Sequence, residues 1–278
     1  MRNFHQTTRR SAYPLRLLSL LVCLWSWRGG VNASNYDVQI DGIYYELKDS
    51  VATVVSGEIG EKYEGDIVIP SSITYEGKTY KVTEIGKSAF PYCSGLTSVE
   101  IPSTVTVIGE AAFTGSRGLT SIELPSGLTV IGKSAFLGCK GLTSMAIPES
   151  VTSIGARAFD FCTSLTSVEL PSCLTEIGEM MFWRCSSLKS INIPESVTSI
   201  GKYAFNRCSS LASVELPSGL VTIGENAFTD CSSLTSVELA PSLTSIGEGA
   251  FRNCSSLTRI TIPSSLTSWG SYAFAGCI

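Results

Sequence analysis

The sequence predicts a solenoid of stacked 23-residue coils rather than a compact globular domain. Phenylalanine recurs every 23 residues from Phe90 to Phe274, and glycine recurs four residues before each of them, from Gly86 to Gly270. A fixed period of about 20 to 29 residues, with apolar residues at fixed places in each copy, is typical of coils that stack and bury one continuous core. We therefore expect about nine coils, each packed mainly against its neighbours.

Each repeat predicts a short strand, a turn and a helical turn. In one coil, Leu211, Val214 and Leu216 are apolar, and the residues between them are expected to face outward. Pro217 then ends the strand, because proline cannot donate to a strand ladder. Residues 225–228 are predicted to form a single helical or 3₁₀ turn under the sheet. This combination predicts a β-rich leucine-rich-repeat solenoid.

Residues 1–33 are predicted to be a secretory signal peptide. The segment begins with arginines, continues with an apolar run of 11 residues from Leu17 to Trp27, and reaches small residues at a cleavage site near Ala33-Ser34. An uncleaved anchor is the alternative, although a bilayer span needs about 20 apolar residues. We therefore expect a secreted or cell-surface protein without a stable membrane span.

The remaining chain is predicted to consist of an N-terminal β cap, residues 34–66, and the repeat solenoid, residues 67–278. Alternating apolar and polar residues around Asp41-Gly42 predict short hairpins, and a solenoid needs a cap over the end of its core. A hairpin insertion is expected near residues 71–82, with its turn at 76–78. This insertion either completes the cap or forms a loop on a binding face.

Charge and composition argue against several functional classes. Five of the 20 basic residues lie in the predicted signal segment, which leaves 15 basic against 24 acidic residues, a net charge of −9. An acidic chain without a Lys/Arg cluster in its sequence is a poor candidate for binding nucleic acid or an anionic membrane. The only histidine, His5, is in the signal segment. We therefore predict no enzyme, no cofactor and no metal site.

The repeat is specific enough to resemble a known family. Its pattern is Ile-Pro-x-x-Val-Thr-x-Ile-Gly-x-x-Ala-Phe-x-x-Cys-x-x-Leu-Thr, present for example from Ile147-Pro148 through Ala158-Phe159 and Cys162 to Leu165-Thr166. This pattern resembles the BspA-like leucine-rich repeats from about Asp66 to Ile278. The resemblance implies a non-catalytic surface or secreted protein that mediates adhesion or protein binding, with an extracellular matrix or cell-surface protein as its partner.

Two other functions are open at this point. One is a carbohydrate-binding surface protein, with very weak glycan processing as its extreme form. The other is a structural spacer within a larger protein.

The candidate binding face consists of the outward residues of the predicted strands, because solenoids commonly bind through a concave sheet. These candidates are Ser98, Glu100, Ser121, Glu123, Ser167, Glu169, Ser213, Glu215, Ser236 and Glu238. Neighbouring glutamates could also approach the separation of about 5 Å found in retaining glycosidases. A shallow exposed sheet provides no sugar cleft, however, so we interpret the glutamates as a solvated polar surface.

Large aromatic residues after the phenylalanine column are a second set of candidates. Tyr92, Phe161 and Trp183 vary between coils, as exposed positions do, and aromatic residues are frequent binding hot spots. The alternative is that they pack over the neighbouring coil.

Eight of the ten cysteines form one column of the repeat, in which Ser116 fills a ninth place. Parallel Cβ vectors suit a disulfide poorly, so we interpret the column as buried reduced thiols that act as small apolar fillers. Cys173 lies in a predicted turn instead and is the expected exposed thiol.

Overall fold

The computed structural model describes residues 36–58 and 62–278, so the predicted signal peptide at residues 1–33 lies outside the described residues. All regular elements within the described ranges are β-strands. They are β1 (Val38–Ile40), β2 (Ile43–Lys48), β3 (Val51–Val55), β4 (Gly65–Val68), β5 (Ser72–Tyr75), β6 (Lys78–Ile85), β7 (Leu96–Glu100), β8 (Val107–Ile108), β9 (Val130–Ile131), β10 (Ser144–Ala146), β11 (Ser153–Ile154), β12 (Ser167–Glu169), β13 (Glu176–Ile177), β14 (Ser190–Asn192), β15 (Ser199–Ile200), β16 (Ser213–Glu215), β17 (Thr222–Ile223), β18 (Val237–Glu238), β19 (Ser245–Ile246), β20 (Ile260–Thr261) and β21 (Ser268–Trp269).

The strands stack in parallel, one repeat above the next. One side of the solenoid carries the ladders β6-β8-β9-β11 and β13-β15-β17-β19-β21, and a second side carries β4-β7, β10-β12, β14-β16 and β18-β20. Each partner lies one repeat away, as Ile200 opposite Ile223 shows. The predicted leucine-rich-repeat solenoid is confirmed, with about eight turns instead of about nine. Nine aligned phenylalanines enclose eight stacked pairs, which accounts for the lower number.

The third side of each coil differs from the prediction. The expected helical or 3₁₀ turn does not occur in the described repeats, where hydrogen-bonded turns take its place. Alternate amides bond within the coil and to the next coil: Ala112 N donates to Gly109 O at 3.3 Å, whereas Phe113 N donates to Ala135 O at 2.7 Å. Ala111 has a φ of 55°, outside the helical region. A helix would use these amides internally and would leave the coils unpaired here.

A stack of phenylalanine rings runs through the core. Neighbouring rings from Phe90 to Phe274 have centroids 5.1 to 5.6 Å apart and interplanar angles of 2 to 12°. All of these rings except Phe274 are fully buried. At the N-terminal end Tyr63 continues the stack, 4.6 Å from Phe90 and tilted by 54°. The core is therefore a column whose ring spacing repeats from coil to coil.

Glycine at the corner of the coil permits this close spacing. A Cβ atom on Gly201 would lie 2.8 Å from Glu179 N, a distance that side chains do not adopt. Gly201 N donates to Ile177 O at 2.7 Å. The backbones of successive coils thus come into direct contact at this corner, except at Gly178, where a Cβ atom would meet no backbone atom closer than 3.9 Å. This contact explains why glycine recurs at this place in the repeat.

The N-terminal strands join the solenoid directly. Strands β1, β2 and β3 form antiparallel pairs, and β3 pairs in parallel with β6, which continues to β8. Strand β6 also pairs antiparallel with β5 across a turn at Glu76-Gly77. The first coil is therefore covered in two ways. Strand β3 pairs with its strand β6, and Tyr63 packs against its phenylalanine, Phe90.

The cysteine column is buried, as predicted, apart from the half-buried Cys277. Its thiols also bond between coils: Cys162 Sγ donates to Phe136 O at 3.1 Å. Ser116 makes the equivalent bond, from its Oγ to Phe90 O at 2.6 Å. Serine replaces cysteine here because both side chains can donate to the carbonyl of the preceding phenylalanine. Burial raises the pKa of Cys139 to about 12, and Cys173 is exposed, as expected.

We predict that Phe205→Ala destabilises the solenoid strongly. The ring is fully buried between two stacked neighbours, and truncation of a buried phenylalanine costs about 3 to 5 kcal/mol. Urea unfolding followed by circular dichroism measures the loss. The control is Phe274→Ala, because Phe274 is half-buried with one described ring neighbour. An equal loss of unfolding free energy in both variants would show that contact with two neighbouring rings does not stabilise a phenylalanine more than contact with one.

We also predict that Cys173 reacts much faster than the column cysteines with a thiol reagent under native conditions. Cys173 is exposed, whereas a column thiol such as Cys208 is buried and has a raised pKa, and the thiolate is the reactive form. Alkylation followed by peptide mass spectrometry assigns each modified residue. Labelling of Cys208 at the rate of Cys173 in folded protein would show that the column opens readily.

Candidate functional site

The predicted binding residues lie on the outward surface of the short strands that follow each cysteine, which we call the strand face (β7, β10, β12, β14, β16, β18 and β20, with the aligned residues Ser121 and Glu123). Its serines and glutamates are exposed, with Ser98 half-buried, whereas the valines between them are buried. Val168, Val214 and Val237 are only 5 to 6% exposed. Alternate residues thus separate core from solvent, as the period of a strand requires.

The strand register places several glutamates beside neutral neighbours. Glu169 aligns with Ala146, Glu215 with Asn192, and Glu238 with Thr261. This arrangement limits like-charge repulsion between coils. A bridge between Ser213 and Ser236 aligns the coils of Glu215 and Glu238, so these two carboxylates form a like-charged pair on the surface.

The N-terminal part of the strand face forms a shallow groove of about 1180 Å³, lined by residues between Ser98 and Leu170. At its end Asp66 accepts hydrogen bonds from Thr97 Oγ1 at 2.7 Å and Ser98 Oγ at 2.6 Å. Both bonds lower the pKa of Asp66, and the bond from Ser98 has the larger effect. One predicted binding residue, Ser98, therefore already has a protein partner.

Glu149 and Glu195 border the strand face and have a structural role. Glu149 Oε2 accepts bonds from Ser172 Oγ at 2.7 Å and Ser172 N at 2.9 Å. Glu195 makes the same pair of contacts with Ser218. Bonding to Ser172 lowers the pKa of Glu149. In these coils the glutamate therefore stabilises the turn of the next coil.

Most exposed threonines also connect coils. Thr166 Oγ1 donates to Thr143 O at 2.9 Å, and Thr129 Oγ1 donates to Thr106 O at 3.0 Å on the neighbouring side. These hydroxyls complete the backbone hydrogen bonding at the solenoid surface. The glutamates and serines of the strand face thus have more freedom for recognition than the threonines beside them.

The three candidate aromatic residues lie on the third side of the coils, which we call the turn side. Tyr92 is 63% exposed, as expected. Phe161 and Trp183 are half-buried instead, in agreement with the alternative that they pack over neighbouring residues. Lys140 Nζ lies 4.5 Å from the Phe161 ring centroid, and Trp183 Nε1 donates to Asn206 Oδ1 at 2.9 Å.

The basic residues that surround these rings are not predicted by the sequence pattern. Lys140, Arg157 and Arg184 come from different repeats, and the solenoid brings them together around Phe161 and Trp183. The cluster does not appear in the sequence as a run of charged residues, because its members are far apart along the chain. One signal was present, however: the column that contains glycine at 115 and 138 contains arginine at 184 and 207.

Two other features concern the range of possible functions. Within residues 36–58 and 62–278, no cluster of three or more histidine, cysteine, aspartate or glutamate residues could hold a metal ion. The same ranges contain no helix with the length and apolarity of a membrane span.

Solved structures with the same fold come from several bacteria. A leucine-rich-repeat protein of T. pallidum is 32% identical, with a TM-score of 0.61, over 69% of this chain and 87% of that one. A leucine-rich cell surface protein of Faecalibacterium prausnitzii is 30% identical, with a TM-score of 0.57, over 87% and 80% of the two chains. A leucine-rich-repeat protein of Bacteroides ovatus is 26% identical, with a TM-score of 0.57, over 87% and 93%.

Sequence comparison gives the family. No curated protein matches the chain in sequence. The family described as "BspA type Leucine rich repeat region" matches residues 83–211 and 175–278, with six copies. These regions include more than half of the chain, and they contain the stacked phenylalanines, the corner glycines and all ten strand-face candidates. The chain belongs to the BspA-type leucine-rich-repeat family.

Proposed function

We propose that this protein is a secreted or cell-surface scaffold that mediates adhesion by binding another protein through its strand face, without catalysis. The observation that carries the proposal is the row of exposed serine and glutamate side chains above buried valines, repeated on successive coils. The rigid ladder presents this row at a constant spacing. Repeat solenoids use such extended surfaces for binding.

Charge indicates the kind of partner. Glu169, Glu215 and Glu238 protrude from the strand face, which therefore favours a basic patch on the partner, because complementary charge steers association and limits wrong pairings. A matrix or cell-surface protein with such a patch fits the proposal. The non-catalytic part of the proposal is supported by the shallowness of the surface and by the position of the only histidine at residue 5.

The proposed location rests on the family and on the N-terminal sequence. A structural relative is described as a cell surface protein. We propose that residues 1–33 direct export and are removed near Ala33-Ser34, that residues 34–66 form the N-terminal cap, and that residues 67–278 form the binding solenoid. N-terminal sequencing of the exported protein tests the cleavage site.

We predict that reversing the charge of Glu169, Glu215 and Glu238 to lysine weakens binding to a matrix protein by about tenfold or more, because complementary charges across an interface turn into like charges. Binding of the full chain to a panel of immobilised matrix proteins, measured by surface plasmon resonance, tests this. The matched control reverses three exposed glutamates outside the strand face, Glu176, Glu179 and Glu248. An equal loss of binding in the control would show that the strand face is not the binding site. If the unmodified protein bound no matrix protein, the result would favour a structural spacer.

A further inference from the structure

Cationic and aromatic side chains form a continuous cluster on the turn side. Lys140 Nζ lies 4.5 Å and Arg184 Cζ lies 5.3 Å from the Phe161 ring centroid. Arg184 Cζ is also 4.6 Å from the Trp183 ring, which Arg157 approaches at 5.9 Å. Cation–π contacts of this kind hold the basic groups in fixed positions. The cluster is notable on a chain that is acidic as a whole.

Arg184 differs from the arginines around it. Arg157 pairs with the buried Asp160 at 2.9 Å, and Arg207 pairs with Asp230 at 3.4 Å. Arg184 forms no ion pair within the described ranges, and its Nε atom is buried without a hydrogen-bond partner. Buried donors are almost always satisfied in folded proteins. Arg184 Nε is thus a charged donor that is available to an anionic ligand.

The backbone at Arg184 shows which residue can replace the arginine. Arg184 has a φ of 58°, in the left-handed region that favours glycine. All nine residues of this column, from Tyr92 to Gly276, have positive φ, and the column is glycine at 115, 138 and 276. The left-handed conformation is therefore a feature of every coil, and the fold accepts glycine in this position.

The cluster opens into an elongated groove of about 840 Å³ that runs from Phe161 to Gly276, which we call the turn groove. Hydroxyl groups follow its length, at Thr163, Ser186, Ser209, Ser232 and Ser255. Three of them, Ser186, Ser209 and Ser232, donate to carbonyl groups of the preceding coil at 3.4 to 3.5 Å, and their oxygens can still accept bonds from a ligand. Arg207, Asp230 and Asn253 line it with planar polar groups that contact one another. The turn groove thus combines one positive end with a long row of hydrogen-bonding side chains.

The backbone of the turn groove offers little to an extended peptide. The amides of Arg184, Arg207 and Asp230 donate to the next coil at 2.8 to 2.9 Å. A peptide strand could not pair with these groups, although such pairing supplies the affinity when peptides add to a sheet edge. Recognition must therefore use side chains, and rows of hydroxyl and planar polar groups suit the hydroxyls of a sugar chain.

We infer that the turn groove binds an acidic polysaccharide, with Arg184 holding a carboxylate or sulfate group and the hydroxyl row bonding to the sugar hydroxyls. Arginine presents several donors in a fixed fork that matches such anions. Phe161 and Trp183 hold the cations in position. This site is on a different side from the strand face and does not depend on the proposed protein-binding function.

The test measures binding of the full chain to immobilised alginate, a uronate polymer, to heparin, a sulfated polymer, and to neutral dextran. We expect binding to at least one acidic polymer, weakened by salt because the contacts are ionic, and little binding to dextran. Arg184→Gly should weaken it by about tenfold or more, since a charged hydrogen-bonding group is lost. This change installs the residue that other coils already carry, and thermal unfolding checks that the fold is retained.

Two matched variants complete the experiment. Arg259→Gln removes one positive charge from an exposed residue beside the strand face and should bind the acidic polymers like the unmodified protein. The strand-face triple charge reversal should also retain binding, which separates this proposal from the first. Four results would overturn the inference: no binding to either acidic polymer, equal binding to dextran, unchanged binding by folded Arg184→Gly, or equal competition by poly-glutamate, which would indicate an acidic peptide instead.

Discussion

The direct contact between successive coils is the constraint on which the rest of this structure depends. Phenylalanine rings stack 5.1 to 5.6 Å apart through the core, and the corner glycine brings the backbones together where a Cβ atom would clash. Because each coil must fit the next at the same two places, its length cannot change. The strict period of the sequence is thus a consequence of packing at the ring and at the corner.

Most of the remaining positions take part in hydrogen bonds between coils. Alternate amides of the turn side donate to the next coil, and column cysteines, Ser116 and many threonines donate to carbonyl groups of the preceding one. These bonds satisfy backbone groups that would otherwise lie unpaired in a narrow stack. Only two sets of positions take little part in the contacts between coils. They are the outward positions of the strands and the variable positions of the turn side.

These free columns give the solenoid two surfaces of different chemistry. The strand face is acidic, flat and regular, whereas the turn groove begins at a basic and aromatic cluster around Arg184. Coils interact mainly with their neighbours, so substitutions on one surface need not disturb the other. The proposed protein-binding site and the inferred polysaccharide site can therefore be tested separately by substitution.

The sequence by itself determined the solenoid, because each packing role recurs at a fixed position: ring, corner glycine, buried thiol and alternating strand residues. It also located the strand face, since alternation separates core from solvent. Only the tertiary structure decided that the third side is built of turns, because the left-handed residues there are not glycine in most coils. Only the tertiary structure could bring Lys140, Phe161 and Arg184 together, because they are separated along the chain and meet through the stacking of their coils.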